Sequence, residues 1–452
     1  MTHIPQSDGR RSRWLFALLA LIAVAAVPAV RGDEPKKDAP KQAPGLTAEQ
    51  KAENLESFDV VWRTIRDTHF DPKLGGLDWN AVRDELRPKV EKATTTAEAR
   101  AAMTEALGRL HLTHFGIIPA EAVDTLDDPD HGSGETGIEV RIIDGRAVVS
   151  TVSAGSPAEK NGVKPGWVVE KIRGKSVGEL LAKLEKAHAA SDMLLARKAR
   201  GVMARLDGPI GGTVDVIFLD AKDKEVSLSL PLTEPEGTPA SFGNLGTFYV
   251  QLVSKRVEGT IAYVALNIFF DPVTVIQKFS QAIKASGDSD GLILDLRGNP
   301  GGIGAMSMGM GGFFIEKPNQ KLGTMITRAG SLHFVLNPRN GAFKGPVAVL
   351  VDELSMSTSE IFAGGLKDLQ RAKVFGVRTP GAALPSRVDI LPNGDRFQYA
   401  FANYIAVGGK PLEGIGVVPD VEAPLTRAAL LEGRDPALDA AVRWIRSQKT
   451  KP

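Results

Sequence analysis

Two short stretches, Gly291-Leu-Ile-Leu-Asp-Leu-Arg297 and Pro346-Val-Ala-Val-Leu-Val351, are apolar without alternation. Unbroken apolar character over strand length means burial on both faces. A parallel sheet covered by helices on both sides demands this, and a half-solvated meander does not. Gly259-Thr-Ile-Ala-Tyr-Val-Ala-Leu-Asn267 reads as a further strand and Val275 to Ala285 as a helix. The pattern predicts an α/β core over residues 236–446. In such sheets functional groups gather beyond the carboxyl ends of the strands. The loops Gly298–Gly304 and Ser355–Glu360 occupy those positions.

Two other patterns precede the core. Thr47 and Gln50 have capping-box spacing, after which Leu55, Phe58, Trp62 and Ile65 recur at helical intervals. Val82, Leu86 and Val90 mark a second helix. A third starts at Thr95, with Glu98 three residues on, and runs through Met103, Leu107 and Leu110. Residues 47–132 therefore form a small helical domain, which must pack against something larger because short helices bury little area. Residues 133–235 change to short strands, namely Gly137–Val140, Arg146–Ser150, Trp167–Ile172 and Val214–Phe218, with a turn and short helix at Gly155–Gly162. A compact β domain with one or two helices is expected. Gly174-Lys-Ser176 is not a phosphate loop, since Val169 stands where its first glycine is required.

The chain begins with Arg10, Arg11 and Arg13 before an apolar run from Trp14 to Val30, with Gly32 ahead of Asp33. That is a signal peptide over residues 1–32. An uncleaved leader would instead tether the protein to a membrane. Residues 33–46 form a Pro/Lys-rich linker. Export to a periplasmic or extracellular compartment follows. A net charge of +1 gives no basic surface for nucleic acid. The absence of cysteine removes disulfides and thiol chemistry.

The chemistry is concentrated in Val349-Leu-Val-Asp-Glu-Leu-Ser-Met-Ser-Thr-Ser-Glu360, where a buried strand turns into a helix opening near Ser359-Glu360. A serine at such a turn is exposed to attack a carbonyl, and the helix start supplies unpaired N–H groups for a developing oxyanion. Serine is also a good helix cap, so this segment alone leaves both roles open. His114 follows an amphipathic helix and is either a cap, a core residue or a base. With His111 it forms a pair lacking a third ligand, so no metal is implied. Met306, Met308 and Met310 read as core packing or as a pliable apolar pocket. Asp295 and Arg297 read as an ion pair at a strand end.

The motifs Gly291-Leu-Ile-Leu-Asp-Leu-Arg-Gly-Asn-Pro-Gly-Gly302, Ser355-Met-Ser-Thr-Ser-Glu360 and Gly414-Ile-Gly-Val-Val-Pro-Asp420, in this order, resemble the tail-specific, or C-terminal processing, serine peptidases. The resemblance implies a ClpP/crotonase-like α/β peptidase core, an N-terminal helical domain and an inserted PDZ domain. It places the nucleophile at Ser357. The oxyanion hole would be the Thr358 N–H with one from Gly301 or Gly302. The PDZ carboxylate-binding loop would be Gly137-Ile138-Glu139-Val140. One departure is clear: Ala382 stands in the position of the lysine base used by much of the family. Arg378 cannot replace it, because guanidinium stays protonated. The tricorn-core branch, which the chain also resembles, uses a histidine, a neighbouring hydroxyl and a glutamate. Those roles fall on His114, Thr113 and Glu413.

The resemblance thus implies an exported serine endopeptidase with a Ser-His-Glu mechanism. It would act on unfolded or C-terminally exposed polypeptides through an acyl-enzyme, with no cofactor. Its partners would be polypeptides with free C-termini. The alternative is a catalytically inactive relative resembling the modules of interphotoreceptor retinoid-binding protein, which binds apolar ligands; Thr379-Pro-Gly-Ala-Ala-Leu-Pro385 looks like theirs.

Overall fold

The computed structural model describes residues 45–122 and 133–449. The leader expected at 1–32 and all but the end of the linker lie outside the described residues, among which no helix is long and apolar enough to cross a membrane.

The apolar runs form the centre of a six-stranded sheet. Its order is Leu252–Val257, Ile261–Leu266, Leu292–Asp295, Val347–Val351, Lys373–Gly376 and Val421–Glu422. The first pair is antiparallel and the rest are parallel. Alternate residues go to opposite faces. Leu292, Leu294, Val347, Val349 and Val351 join the main core with Phe279, Met306, Met310 and Phe362. Ile293, Ala348, Leu350 and Phe375 meet Ala441 and Ile445 of the C-terminal helix Pro436–Lys449. Burial from both sides explains why these strands show no alternation.

The N-terminal helices are α1 (Ala48–Thr68), α2 (Trp79–Glu91) and α3 (Thr96–Gly108). Thr47 and Gln50 make the capping box at the start of α1, and the Thr95 hydroxyl caps α3. The indoles of Trp62 and Trp79 each donate to the other's backbone carbonyl, at 2.9 and 3.0 Å. This unit does not close on itself. Its core takes in Leu391, Phe397 and Tyr399, and its strand Gly116–Ile118 pairs with Arg396–Ala400. Arg328, far along the chain, donates to the carbonyls of Arg66, Asp67 and His69, capping the carboxyl end of α1.

The β-rich region is an antiparallel sheet in the order Ile138–Ile143, Arg146–Val152, Val168–Ile172, Thr213–Leu219 and Glu225–Pro231. It carries more helix than expected: the short Pro157–Lys160, Val177–His188 and Leu194–Leu206. Charge hid the last of these, since Arg197, Lys198, Arg200 and Arg205 interrupt its apolar periodicity. Met193 and the helix residues Ala196 and Ala199 pack on Leu354, Met356 and Ala382, which sets this helix directly over the Ser355–Glu360 loop.

Candidate active site

The turn after Val347–Val351 is held by side chains from within it. Asp352 Oδ1 accepts the N–H groups of Gly298 and Leu354 at 2.9 and 3.0 Å, and its Oδ2 meets Arg141 Nε at 2.8 Å. Ser355 donates to the Leu296 carbonyl and accepts the Asp352 N–H. Asn299, fully buried, reaches four ways. Its amide donates to Leu266 and accepts the Gly301 N–H, while its carbonyl accepts Met356 N–H and the Ser359 hydroxyl. Two strand-end loops are thereby fixed to each other.

Ser357 stands at this junction with φ 58° and ψ −115°, immediately before the helix Thr358–Asp368. Such a backbone costs on the order of 1–3 kcal/mol in a non-glycine residue and persists only when its surroundings enforce it. The enforcing group is Glu360, whose Oε2 accepts the Ser357 N–H at 2.9 Å. The helix opens at Thr358, one residue before the expected start near Ser359, because this carboxylate closes the first turn. A glycine is required opposite: at Gly301, φ 99°, a Cβ would lie 2.7 Å from Ser357 Cβ and 2.9 Å from Thr358 N. The Gly301 N–H is spent on Asn299 Oδ1. Gly301 therefore corrects one sequence assignment, since its contribution is open space and not an oxyanion donor. Gly302, φ 131°, is pressed against Phe269.

Glu360 has four donors. Oε1 accepts from Thr379 Oγ1 at 2.6 Å and Gly381 N–H at 2.7 Å, and Oε2 from Ala382 N–H at 2.9 Å as well as from Ser357. Burial pushes its carboxyl up to about 7. The next residue along, Ala383, donates its N–H to Glu413 Oε2 at 3.1 Å. Glu413 also receives the Thr113 N–H at 2.7 Å and the Thr113 hydroxyl at 2.9 Å, and burial likewise raises it to about 7. Thr113 Oγ1 lies 2.8 Å from His114 Nδ1.

This network assigns the histidine tautomer. An ionised Glu413 only accepts, so the Thr113 hydroxyl must donate to it and can then only accept from Nδ1–H. Nε2 is left as the basic lone pair. Among the described residues it has no hydrogen-bond partner, although His114 is 4% exposed. Burial drops the His114 pKa to about 3, which keeps the ring neutral. A direct Ser357–His114 hydrogen bond is not made. The two are joined through Glu360, the 381–383 segment, Glu413 and Thr113.

Ala382 is fully buried in the apolar cluster with Met193, Ala196, Ala199, Leu354 and Met356, and no ammonium occupies that place. His111 is exposed. Met306 and Met310 are core residues, so the apolar-pocket reading of the methionines is set aside. Arg297 pairs with Asp295 and also with Asp435. Gly137, φ 79°, packs on Ser156, and Ile138, Glu139 and Val140 open the edge strand of the β-rich sheet, Glu139 outermost. Glu360 was not singled out from sequence. Its signal was present, as the Ser357-Thr-Ser-Glu360 spacing of a capping box.

Residues 260–423 match the model of peptidase family S41, and residues 50–108 that of the tricorn protease C1 domain. A tricorn protease homolog of Streptomyces coelicolor is 27% identical over 87% of this chain and 32% of its own length. A CtpA-like serine protease of Staphylococcus haemolyticus is 27% identical over 84% of the chain and 66% of its own length. The chain thus spans between about a third and two thirds of these relatives. Two solved structures share the fold: the photosystem II D1 C-terminal processing protease (TM-score 0.56, 22% identity, 88% of this chain and 97% of that one) and mature CPAF complexed with lactacystin (0.60, 14%, 88% and 98%). The chain thus carries a peptidase family S41 segment at residues 260–423 and a tricorn C1 segment at 50–108, on a fold shared with C-terminal processing proteases.

Proposed function

We propose that this chain is an exported serine endopeptidase working through Ser357, His114, Thr113 and Glu413, with the β-rich region at 133–235 serving as a PDZ domain that holds the substrate's C-terminus. The observation that carries this reading is the network from the strained Ser357 through Glu360, the 382–383 backbone, Glu413 and Thr113 to Nδ1 of His114, with Nε2 left without a partner among the described residues. Ser357 Oγ attacks a peptide carbonyl and passes its proton to His114 Nε2, which delivers it to the leaving amine. Water then reverses the sequence on the acyl-enzyme. Thr113 and Glu413 hold the tautomer that makes Nε2 the base. The N–H groups of Thr358 and Gly302 face the oxyanion, since that of Gly301 is committed. Buried Ala382 supports a histidine base over a lysine base. Polypeptides as substrates fit the family, and a periplasmic or extracellular location rests on the leader alone.

The test is fluorophosphonate labelling of the leaderless protein, with the modified residue mapped by mass spectrometry. Label on Ser357 is expected, slowed by about 10³-fold or more in His114→Ala. A folded chain that takes no label, with or without an added C-terminal peptide, would instead be a binding protein for apolar ligands or peptides.

A further inference from the structure

The helix over the serine loop carries two cations that the fold does not use. Arg197 and Arg200 lie three residues apart on Leu194–Leu206, hence on neighbouring faces of one side. Each has its Nε sealed from solvent without an acceptor, while the side chain as a whole keeps partial exposure. Neither makes an ion pair among the described residues, although Lys198 between them pairs with Glu185. Burial lowers both guanidinium pKa values, that of Arg200 to about 10.

Arg200 is the better placed of the two. The groups whose charge it feels are Arg141, Asp352 and Glu139. Arg141 in turn lies against Gly298, at the start of the Gly298–Gly302 loop that faces Ser357. Asp352 makes no ion pair with Arg200; its Oδ2 accepts from Arg141 and its Oδ1 from Gly298 and Leu354. Glu139 lies 3.4 Å from Arg141 and is exposed. A guanidinium with no ion pair among the described residues and a sealed, unbonded Nε works against folding, so stability does not account for it. A guanidinium does match a carboxylate, bidentately and with charge assistance. The strand Ile138–Ile143 beside this helix is the edge of its sheet, where an extended chain can add.

We infer that Arg200 is a receptor for a carboxylate of the bound polypeptide, set where the edge strand of the β-rich region meets the serine loop. This rests on the peptidase reading for its ligand class, and differs from it in placing the carboxylate on a side chain and not on the Gly137–Val140 backbone. The carboxylate has two sources, the chain terminus or an Asp/Glu side chain close to it.

The experiment measures binding by fluorescence anisotropy to the full chain carrying Ser357→Ala, so turnover plays no part. The probes are a labelled twelve-residue apolar peptide with a free C-terminus, its C-terminal amide, and both again with a penultimate Glu. A terminal carboxylate at Arg200 predicts that amidation weakens binding about tenfold to a hundredfold. That penalty collapses to near one in Arg200→Gln and is partly kept in Arg200→Lys. A side-chain carboxylate predicts instead that the Glu peptides bind more tightly and that only this gain is lost in Arg200→Gln. Equal discrimination in Arg200→Gln, or no carboxylate-dependent binding by the parent up to millimolar peptide, overturns the inference. So does a marked drop in melting temperature in Arg200→Met, which would make the residue structural. Carboxylate discrimination by a chain that takes no fluorophosphonate would leave this inference standing and remove the peptidase reading.

Discussion

Around Ser357, Asn299, Asp352 and Glu360 have their polar atoms tied down, whereas on the helix packed over them Arg197 and Arg200 keep Nε atoms with no acceptor among the described residues. Both regions are largely buried, so both have given up hydration. In the first, internal hydrogen bonds replace water, and the surplus is spent holding a strained serine backbone. In the second the two Nε atoms have no replacement among the described residues, as expected of groups kept for a partner from outside. His114 belongs to both, with Nδ1 fixed by Thr113 and Nε2 left empty. The difference separates what a site must hold rigid from what it must leave available.

The largest effect should come from the saturated side. Asp352→Ala strands a buried Arg141 and frees the Gly298 and Leu354 N–H groups, so equilibrium urea denaturation should show a loss of about 3–5 kcal/mol. Arg200→Met in the same assay should show none, and a similar loss in both would erase the contrast.

Next is Gly301→Ala, which forces a Cβ into the space before Thr358 N at a φ that alanine disfavours. Fluorophosphonate labelling should slow by about 10²-fold, with a stability loss of about 1–3 kcal/mol. Unchanged labelling would mean that space is not where the oxyanion sits.

The pH dependence sharpens the role of His114. With a folded pKa near 3 against 6.5 unfolded, neutral His114 contributes stability that is full above pH 6.5 and is lost as pH falls toward 3. His114→Asn should therefore lose less stability than the parent between pH 6.5 and 4, by on the order of 2–3 kcal/mol. Glu413 acts in the opposite sense. Its folded pKa is raised, so its contribution is full below about 4.5 and fades as pH rises toward 7. The proposed mechanism instead needs its ionised form, so labelling should fall as pH drops through about 7. That limb should vanish in Glu413→Gln; its survival there would assign it to another group.

The smallest change is expected at Arg378–Asp192, an exposed pair at 2.8 Å that bridges the β-rich region and the core. Arg378→Ala should shift stability by less than about 0.5 kcal/mol.

Much of this molecule follows from local pattern. The double-faced strands, the caps at Thr47 and Thr95 and the strand–turn–helix at Ser357 depend on residues close in sequence, and periodicity or spacing reports those directly. The three-residue spacing that ties Glu360 to Ser357 is equally local, and was legible as a capping box although its second function was not. His114, Thr113 and Glu413 came from motif order. Spacing could not have paired them, because Thr113 and Glu413 stand 300 residues apart.

What tertiary structure alone decided is which buried polar atoms have partners. Glu360 collects donors from a segment some twenty residues on, Asp352 is matched by Arg141 across the region boundary, and the Gly301 N–H is taken by a side chain. Among the described residues the same packing leaves Arg200 Nε and His114 Nε2 without a partner. No sequence period encodes that outcome, since a hydrogen bond is satisfied or orphaned by geometry between elements, within a few tenths of an ångström.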